Sequence, residues 1–234
     1  MLFNSFQFLL FLPLVVCGYY LLPQKFRWVL LLVASYYFYM CWRMEYILMI
    51  AGTTLLDYWI GIAISESNQQ RRKRLLLGIS LLTNFGLLFT FKYFDFFSNS
   101  LRSAFGLVDI TVAAPELKLL LPVGISFYTF QSISYVIDVY RGDVAAERHL
   151  GRFATFIAFF PQLVAGPIER PGNLLPQFRQ NHRPKYDSLV SGLNWIALGF
   201  FKKVVIADRC AVYVNEIFAS PTQFGAWATA MGII

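Results

Sequence analysis

Ionisable side chains inside apolar stretches are the first candidates for chemistry in this sequence. Asp57, Lys92, Asp95 and Asp138 each interrupt a run of hydrophobic residues. A charge in such a position usually faces the interior of a helix bundle, where it pairs with another polar group or serves a functional site. Lys92 and Asp95 are three positions apart, so they can also simply pair along one helix face. The sequence leaves both interpretations open, and it predicts that Asp138 and Arg141 cap a helix end.

The two histidines, His149 and His182, lie in charged loops. Histidine is the usual general base for acyl transfer, but most loop histidines are solvated surface residues. The segment VGISFYT contains Gly124 and Ser126 but lacks the second glycine of a G-x-S-x-G nucleophile elbow, which argues against a serine hydrolase. The sequence contains no phosphate-binding loop, dinucleotide-binding motif or metal-ligand cluster. We therefore expect no metal and no tightly bound cofactor.

The stretch FFPQLVAGPIERPGNLLPQF, from Phe159 to Phe178, is apolar and yet broken. Pro161, Gly166, Pro167 and Pro171 interrupt it. Non-helical backbone at membrane depth is tolerated only where it is buried in protein or lines a water-filled cavity, because unsatisfied amides cost several kcal/mol in lipid. The pattern therefore indicates a segment that lines a cavity.

The loop that follows, residues 169–188, carries several cations. They are Arg170, Arg179, Arg183 and Lys185. If the short run 153–168 crossed a membrane, these cations would lie outside, against the positive-inside rule. We therefore predict that residues 153–172 form a re-entrant segment, which dips into the membrane and returns to the cytoplasmic side. The alternative is an ordinary proline-kinked span, with the cations tolerated outside.

The composition is that of an integral membrane protein. Of the 234 residues, 57% are hydrophobic and only 14% are charged, whereas about 25% are charged in soluble domains. A soluble domain of this length could not bury so much apolar surface. The net charge of +7 arises mainly from cations in short gaps between apolar runs, as in the cluster Arg71 to Arg74. We therefore expect the lipid bilayer, and no nucleic acid, as a partner.

The apolar runs predict one all-α membrane domain over residues 1–234. The runs fall at about 5–22, 28–42, 46–64, 75–97, 117–140, 153–168, 189–214 and 224–234. With the basic loop 65–74 in the cytoplasm, nine Lys and Arg residues flank the first five runs on that side and three on the other. This predicts a polytopic bundle of five spans with the N-terminus outside, the re-entrant segment and further helices. Lys202 and Lys203 predict that the run 189–214 is divided into two shorter helices.

Three segments resemble the membrane-bound O-acyltransferase family, in its bacterial alginate O-acetyltransferase branch. They are LPVGISFYTFQSISYVIDVYRG (Leu121–Gly142), the broken stretch Phe159–Phe178, and GFFKKVVIADRCA (Gly199–Ala211). The resemblance implies a helical fold around a tunnel, a cytoplasmic acyl donor such as acetyl-CoA, and acyl transfer to a hydroxyl on the other side. It also implies the bacterial inner membrane and a periplasmic polysaccharide O-acetyltransferase as partner.

The resemblance also bears on site residues. The family's catalytic histidine lies further along its members' sequences, so we expect it beyond Ile234. His149 and His182 do not match its motif, so no catalytic residue is assigned here. The chain is expected to be part of a longer membrane-bound O-acyltransferase fold and to be inactive alone. The candidates for lining the acyl tunnel are Gln162, Arg170, Tyr128 and Gln131.

Two other functions remain open from the sequence. Broken membrane segments with intramembrane charges also suit a transporter or flippase, although no inverted repeat is evident. A non-catalytic membrane scaffold that recruits a periplasmic acetyltransferase is the second alternative. The sequence leaves the acceptor polymer, the oligomeric state and the path of donor entry undetermined.

Overall fold

Helices account for most of the chain, and the residues that the structure describes contain no strand. The computed structural model describes residues 3–106, 121–163, 166–220 and 224–232. The α-helices are α1 (Phe6–Leu21), α2 (Gln24–Met40), α3 (Tyr46–Glu66), α4 (Gln70–Leu88), α5 (Phe94–Gly106), α6 (Ile125–Arg141), α7 (Leu150–Ala158), α8 (Phe160–Leu163), α9 (Pro171–Gln177), α10 (Tyr186–Phe200), α11 (Asp208–Ala219) and α12 (Ala226–Met231). The prediction of an all-α membrane fold is confirmed.

Among the described residues, three helices are long and apolar enough to cross a membrane. They are Tyr46–Glu66, Gln70–Phe105 and Tyr186–Ala219, and the shorter apolar helix is Phe6–Leu21. A helix rises 1.5 Å per residue, so the 21 residues of α3 extend about 31 Å, close to the roughly 30 Å of a bilayer's hydrocarbon core. The predicted number of five spans stays a prediction.

A π-helical turn joins the two parts of each of the two longest of these helices, Gln70–Phe105 and Tyr186–Ala219. Phe89–Tyr93 joins α4 to α5, and Phe201–Ala207 joins α10 to α11. The prediction of two separate helices around Lys202 and Lys203 is therefore wrong, because the helix continues through both lysines. The Lys203 ammonium pairs with the Asp208 carboxylate five residues on, which is the spacing that a π turn brings onto one face.

The described residues between 14 and 181 form one compact unit, in which α6 packs against α3, α4, α7 and α9. Its core is rich in aromatic side chains, and the Tyr135 and Phe153 rings lie 4.4 Å apart between centroids. Gly61 of α3 faces Tyr135 so closely that an added Cβ would lie 2.8 Å from the ring. Small residues at helix crossings let backbones approach in this way.

The described residues of the ranges 3–13 and 182–232 form a second unit. The most apolar part of its long helix, Tyr186–Ala219, contains no buried residue. Large side chains such as Leu193 and Trp195 are 65% and 70% exposed. An apolar helix this exposed needs an apolar environment, which agrees with membrane character.

Polar contacts gather several chain segments at one end of the first unit, which we call the charged end. The Arg148 guanidinium pairs with Glu66 at 3.2 Å, and Gln70 donates a hydrogen bond to the Tyr140 hydroxyl at 2.9 Å. Gln24 donates to the backbone carbonyl of Arg179 at 2.5 Å. The start of α2, the α3–α4 loop and the α6–α7 loop therefore share one end, as the charge pattern predicts for loops on one side of a membrane.

Candidate functional site

The predicted broken segment is a helix that stops and restarts inside the protein. Phe159 has φ −55° and ψ 109°, which ends α7, and α8 begins at the next residue. The freed N–H of Phe160 donates to the Ser35 hydroxyl of α2 at 3.1 Å, in a buried position. Neighbouring Ser side chains satisfy broken membrane helices in this way. Pro161 fits near the start of α8 because its missing N–H is not required there.

The chain returns to the charged end after this break. Glu147, just before α7, pairs with Arg179, just after α9, at 2.5 Å. Arg27 donates to Asn181 at 3.2 Å at the same end. A re-entrant segment requires such a path, although the placement of residues 153–172 in a membrane stays a prediction. Residues 164 and 165 lie outside the described part of the chain.

A narrow pocket lies where α6 meets the broken segment, and we call it the α6–α8 pocket. It is lined by Phe127, Tyr128, Gln131, Ile157, Gln162, Leu163, Pro167 and Ile168. Its cavity volume is about 10 Å³, which is room for about one water molecule. The Tyr128 hydroxyl and the Gln131 amide nitrogen are buried and have no hydrogen-bond partner among the described residues. Two residues of the lining thus carry a buried donor for which the described residues provide no acceptor.

Three of the four predicted tunnel residues meet in this pocket, namely Tyr128, Gln131 and Gln162. Gln162 donates to the backbone carbonyl of Phe156 at a long 3.4 Å. Arg170 does not line the pocket, because it is exposed and precedes the first turn of α9. Its assignment to a tunnel gains no support from the geometry.

Gly124 fixes how closely the start of α6 approaches α8. It adopts φ +75°, a left-handed conformation that side chains with a Cβ rarely adopt. A Cβ built there would overlap the backbone carbonyl of Leu163. The narrow pocket therefore depends on glycine at this position.

Asp57 is the centre of a buried polar network that joins three helices. It is fully buried in α3, and it accepts hydrogen bonds from Ser80 at 2.6 Å and Asn84 at 2.8 Å, both in α4. Ser132 of α6 donates to the same carboxylate. Because Ser132 follows Gln131 directly, the network fixes the rotation of α6 that directs Gln131 into the pocket.

Sequence reasoning identified Asp57 but missed its partners. Ser80 and Asn84 are four positions apart in the apolar half of α4 that follows its basic first turns, a spacing that puts both on one face. This pair of polar residues on one face was the feature of the sequence that could have predicted a polar partner for Asp57. No such feature distinguishes Ser132, since α6 contains several serines.

The other charges that interrupt apolar runs have different surroundings. The Lys92 ammonium donates to the Ser126 hydroxyl at 3.4 Å. Asp138 caps α6 through its backbone, whose carbonyl accepts the N–H of Asp143 at 2.9 Å next to left-handed Gly142. Asp95 lies in the first turn of α5. Within the described ranges, no group of three His, Cys, Asp or Glu residues could hold a metal ion.

Similarity to known proteins extends over nearly the whole chain. It is 43% identical over 240 residues to the probable alginate O-acetylase AlgI of Pseudomonas putida, covering 99% of this chain and 48% of the relative. It is 43% identical over 241 residues to the protein of the same name in Pseudomonas aeruginosa, covering 99% of this chain and 45% of that protein. It is 32% identical over 266 residues to the peptidoglycan O-acetyltransferase of Helicobacter pylori, covering 99% and 50%.

The chain therefore spans about half the length of the curated relatives it matches. No family model matches it, and no solved structure matches it.

Proposed function

We propose that this chain belongs to the alginate O-acetylase branch of the membrane-bound O-acyltransferase family and is part of an enzyme that O-acetylates a polysaccharide. The similarity over 99% of the chain to proteins named as O-acetylases of alginate or peptidoglycan carries this proposal. The acetyl donor is a cytoplasmic thioester, acetyl-CoA. The acetyl carbon gains a bond to the acceptor hydroxyl oxygen and loses its bond to sulfur, and the hydroxyl proton leaves with the thiolate.

The α6–α8 pocket is the candidate for the end of the donor path. Its free donors, the Tyr128 hydroxyl and the Gln131 amide, are of the kind that stabilises charge developing on a carbonyl oxygen. A thioester does not fit a cavity of about 10 Å³, so an acyl group enters only when the Gln162 side chain turns aside. The single long hydrogen bond of Gln162 makes that rotation inexpensive.

Proton transfer is not assigned to this chain. His149 accepts the backbone N–H of Arg152 through Nδ1, and its ring lies 4.7 Å from Trp28, so it acts as a helix cap. Neither His149 nor His182 lines the α6–α8 pocket. The contribution that we propose for these residues is to bind and orient the donor.

We place the charged end in the cytoplasm of a bacterial cell, with the protein in the inner membrane and its N-terminus outside. The cations of the loops gathered at this end support that orientation. The acceptor side is then periplasmic, where a separate polysaccharide O-acetyltransferase is the proposed partner.

Substitution of the pocket donors tests the proposal. In the complete protein, within membrane vesicles supplied with labelled acetyl-CoA, Gln131→Met and Tyr128→Phe should each lower the rate of acetyl transfer. Loss of one donor to a developing oxyanion costs about 10²- to 10³-fold, so at least a tenfold loss is expected. Gln180→Met, at an exposed position, is the matched control.

Wild-type rates in both pocket variants would refute the role given to the pocket. Polysaccharide acetylation that persists in vesicles without any consumption of a thioester would instead favour a scaffold. Substrate-dependent flux without acetyl transfer would favour a transporter.

A further inference from the structure

A second concavity lies at the charged end, and we call it the arginine basin. It has a cavity volume of about 500 Å³. Its lining residues are Ala145, Ala146, Glu147, Arg148, His149, Arg152 and Arg179. The α6–α7 loop and the first turn of α7 form one wall. The remaining lining residue is Arg179, which lies two residues after the end of α9. The basin is separate from the α6–α8 pocket, with which it shares no lining residue.

The charges of the basin do not cancel. Its lining contains three arginines and one carboxylate. Arg179 pairs with Glu147 at 2.5 Å, and Arg148 pairs at 3.2 Å with Glu66, which lies outside the lining. The buried Arg152 Nε has no hydrogen-bond partner among the described residues. One guanidinium is therefore uncompensated, and the first turn of α7 adds the positive end of a helix dipole.

Buried contacts hold this arrangement in place. Glu147 is only 2% exposed, and its carboxylate accepts the backbone N–H of His149 at 3.0 Å as well as the guanidinium of Arg179. Its own N–H donates to the buried Tyr135 hydroxyl at 3.0 Å. The single acidic residue thus positions an arginine at the rim, and a positioned guanidinium matches phosphate oxygens well.

Helix α7 connects the basin to the α6–α8 pocket. His149, at the start of α7, lines the basin and Ile157, near its end, lines the pocket. Eight residues of helix extend about 12 Å. A pantetheine arm has the backbone length of roughly four amino-acid residues, so it extends about 14 Å. The length of the arm therefore matches the separation of the basin and the pocket along α7.

We propose that the arginine basin binds phosphate groups, and that they are the phosphates at the nucleotide end of the thioester donor. The second half of this proposal rests on the proposed function, whereas the first half does not. Arg152 supplies the unpaired guanidinium, and Arg148 and Arg179, while still paired with their carboxylates, direct their remaining N–H donors toward the phosphate oxygens. Inorganic phosphate and anionic lipid headgroups carry the same chemistry, so the experiment must distinguish these three sources.

The test compares two donors on the complete protein in nanodiscs. Acetyl-CoA carries phosphates, whereas S-acetylpantetheine does not. In Arg152→Gln, the ratio of kcat/KM for acetyl-CoA to that for S-acetylpantetheine should fall about tenfold or more, because one charge-assisted hydrogen bond is lost. The fall in kcat/KM for acetyl-CoA should arise from a higher KM, with kcat little changed. Arg152→Lys should restore part of the ratio, and Arg72→Gln, at an exposed position in the first turn of α4, should leave it unchanged.

Equilibrium binding gives a readout that does not need turnover. Coenzyme A should bind with an affinity that falls as salt rises, and Arg152→Gln should weaken it about tenfold. Inorganic pyrophosphate should compete, and replacing neutral nanodisc lipids with anionic ones should not. If binding follows this pattern but no thioester supports transfer, the proposed function fails and the phosphate site stands.

Three results would overturn the basin proposal. One is a donor ratio in Arg152→Gln equal to that of the wild type while transfer proceeds. Another is unchanged coenzyme A binding in a variant whose thermal unfolding shows that it is folded. The third is binding that anionic lipid displaces and pyrophosphate does not, which would make the basin a lipid site.

Discussion

Replacement of Asp57 by alanine should destabilise the first unit strongly. The carboxylate accepts hydrogen bonds from Ser80, Asn84 and Ser132, which belong to two other helices. A hydrogen bond to a charged group contributes about 1.5–3 kcal/mol, and an orphaned buried donor costs about 1–3 kcal/mol. The two serine hydroxyls can turn to carbonyls of their own helices, which recovers part of the loss. Since three such bonds are lost and part of the loss is recovered, the expected destabilisation is about 3–5 kcal/mol.

Thermal unfolding of the purified protein in detergent measures this effect. For a chain of this size, 1 kcal/mol corresponds to about 2–4 °C in Tm, so Asp57→Ala should lower Tm by roughly 6–20 °C. The Tm of Asp57→Asn should lie between those of the wild type and Asp57→Ala, because the asparagine amide retains one acceptor oxygen. Asp143→Ala, which removes an exposed carboxylate, is the control.

The reasoning fails if Asp57→Ala and Asp143→Ala shift Tm equally. It also makes a claim about coupling, because residues in one network are not additive. Ser132→Ala should therefore destabilise the wild type more than it destabilises Asp57→Ala. Equal effects in the two backgrounds would show that Ser132 does not stabilise the protein through Asp57.

Two further substitutions test the junction at the broken segment. Gly124→Ala should lower Tm and disturb acetyl transfer by the complete protein, because the new Cβ meets the Leu163 carbonyl and the backbone has φ +75°; strain at such a position costs about 1–3 kcal/mol before the overlap is counted. Ser35→Ala should cost about 1–3 kcal/mol in the same unfolding assay, because the buried Phe160 N–H loses its acceptor.

Matched controls separate the causes. Gly142 also has a positive φ, of +84°, but nothing lies within 4 Å of an added Cβ. Gly142→Ala should therefore show the conformational strain without the overlap, and a smaller fall in Tm than Gly124→Ala. Ser65→Ala removes an exposed hydroxyl that bonds only its own helix. A loss there as large as that of Ser35→Ala would contradict the role given to Ser35.

The sequence predicted the fold class and the position of most apolar elements. The run 46–64 corresponds to α3, Tyr46–Glu66, and the break expected near Pro161 occurs at Phe159. Such features depend on local composition, because spanning length, apolarity and helix-breaking residues act within a short segment. The prediction of two separate helices around Lys202 and Lys203 was wrong, because the cost of charge in an apolar run competed with helix continuity. Lys202 and Lys203 lie within one helix because a π turn pairs Lys203 with Asp208.

Tertiary structure decided which residues meet. Asp57 and Ser132 are 75 positions apart, and Glu147 and Arg179 are 32 apart; no periodicity in the sequence links either pair. Gln131 and Gln162 line one pocket only because α6 is rotated by the Asp57 network and because Gly124 admits the Leu163 carbonyl. Hydropathy fixes which segments form apolar helices, whereas side-chain packing and a few buried hydrogen bonds fix their rotation. Candidate sites of this kind depend on that rotation, so the sequence named several of their residues without predicting their contacts.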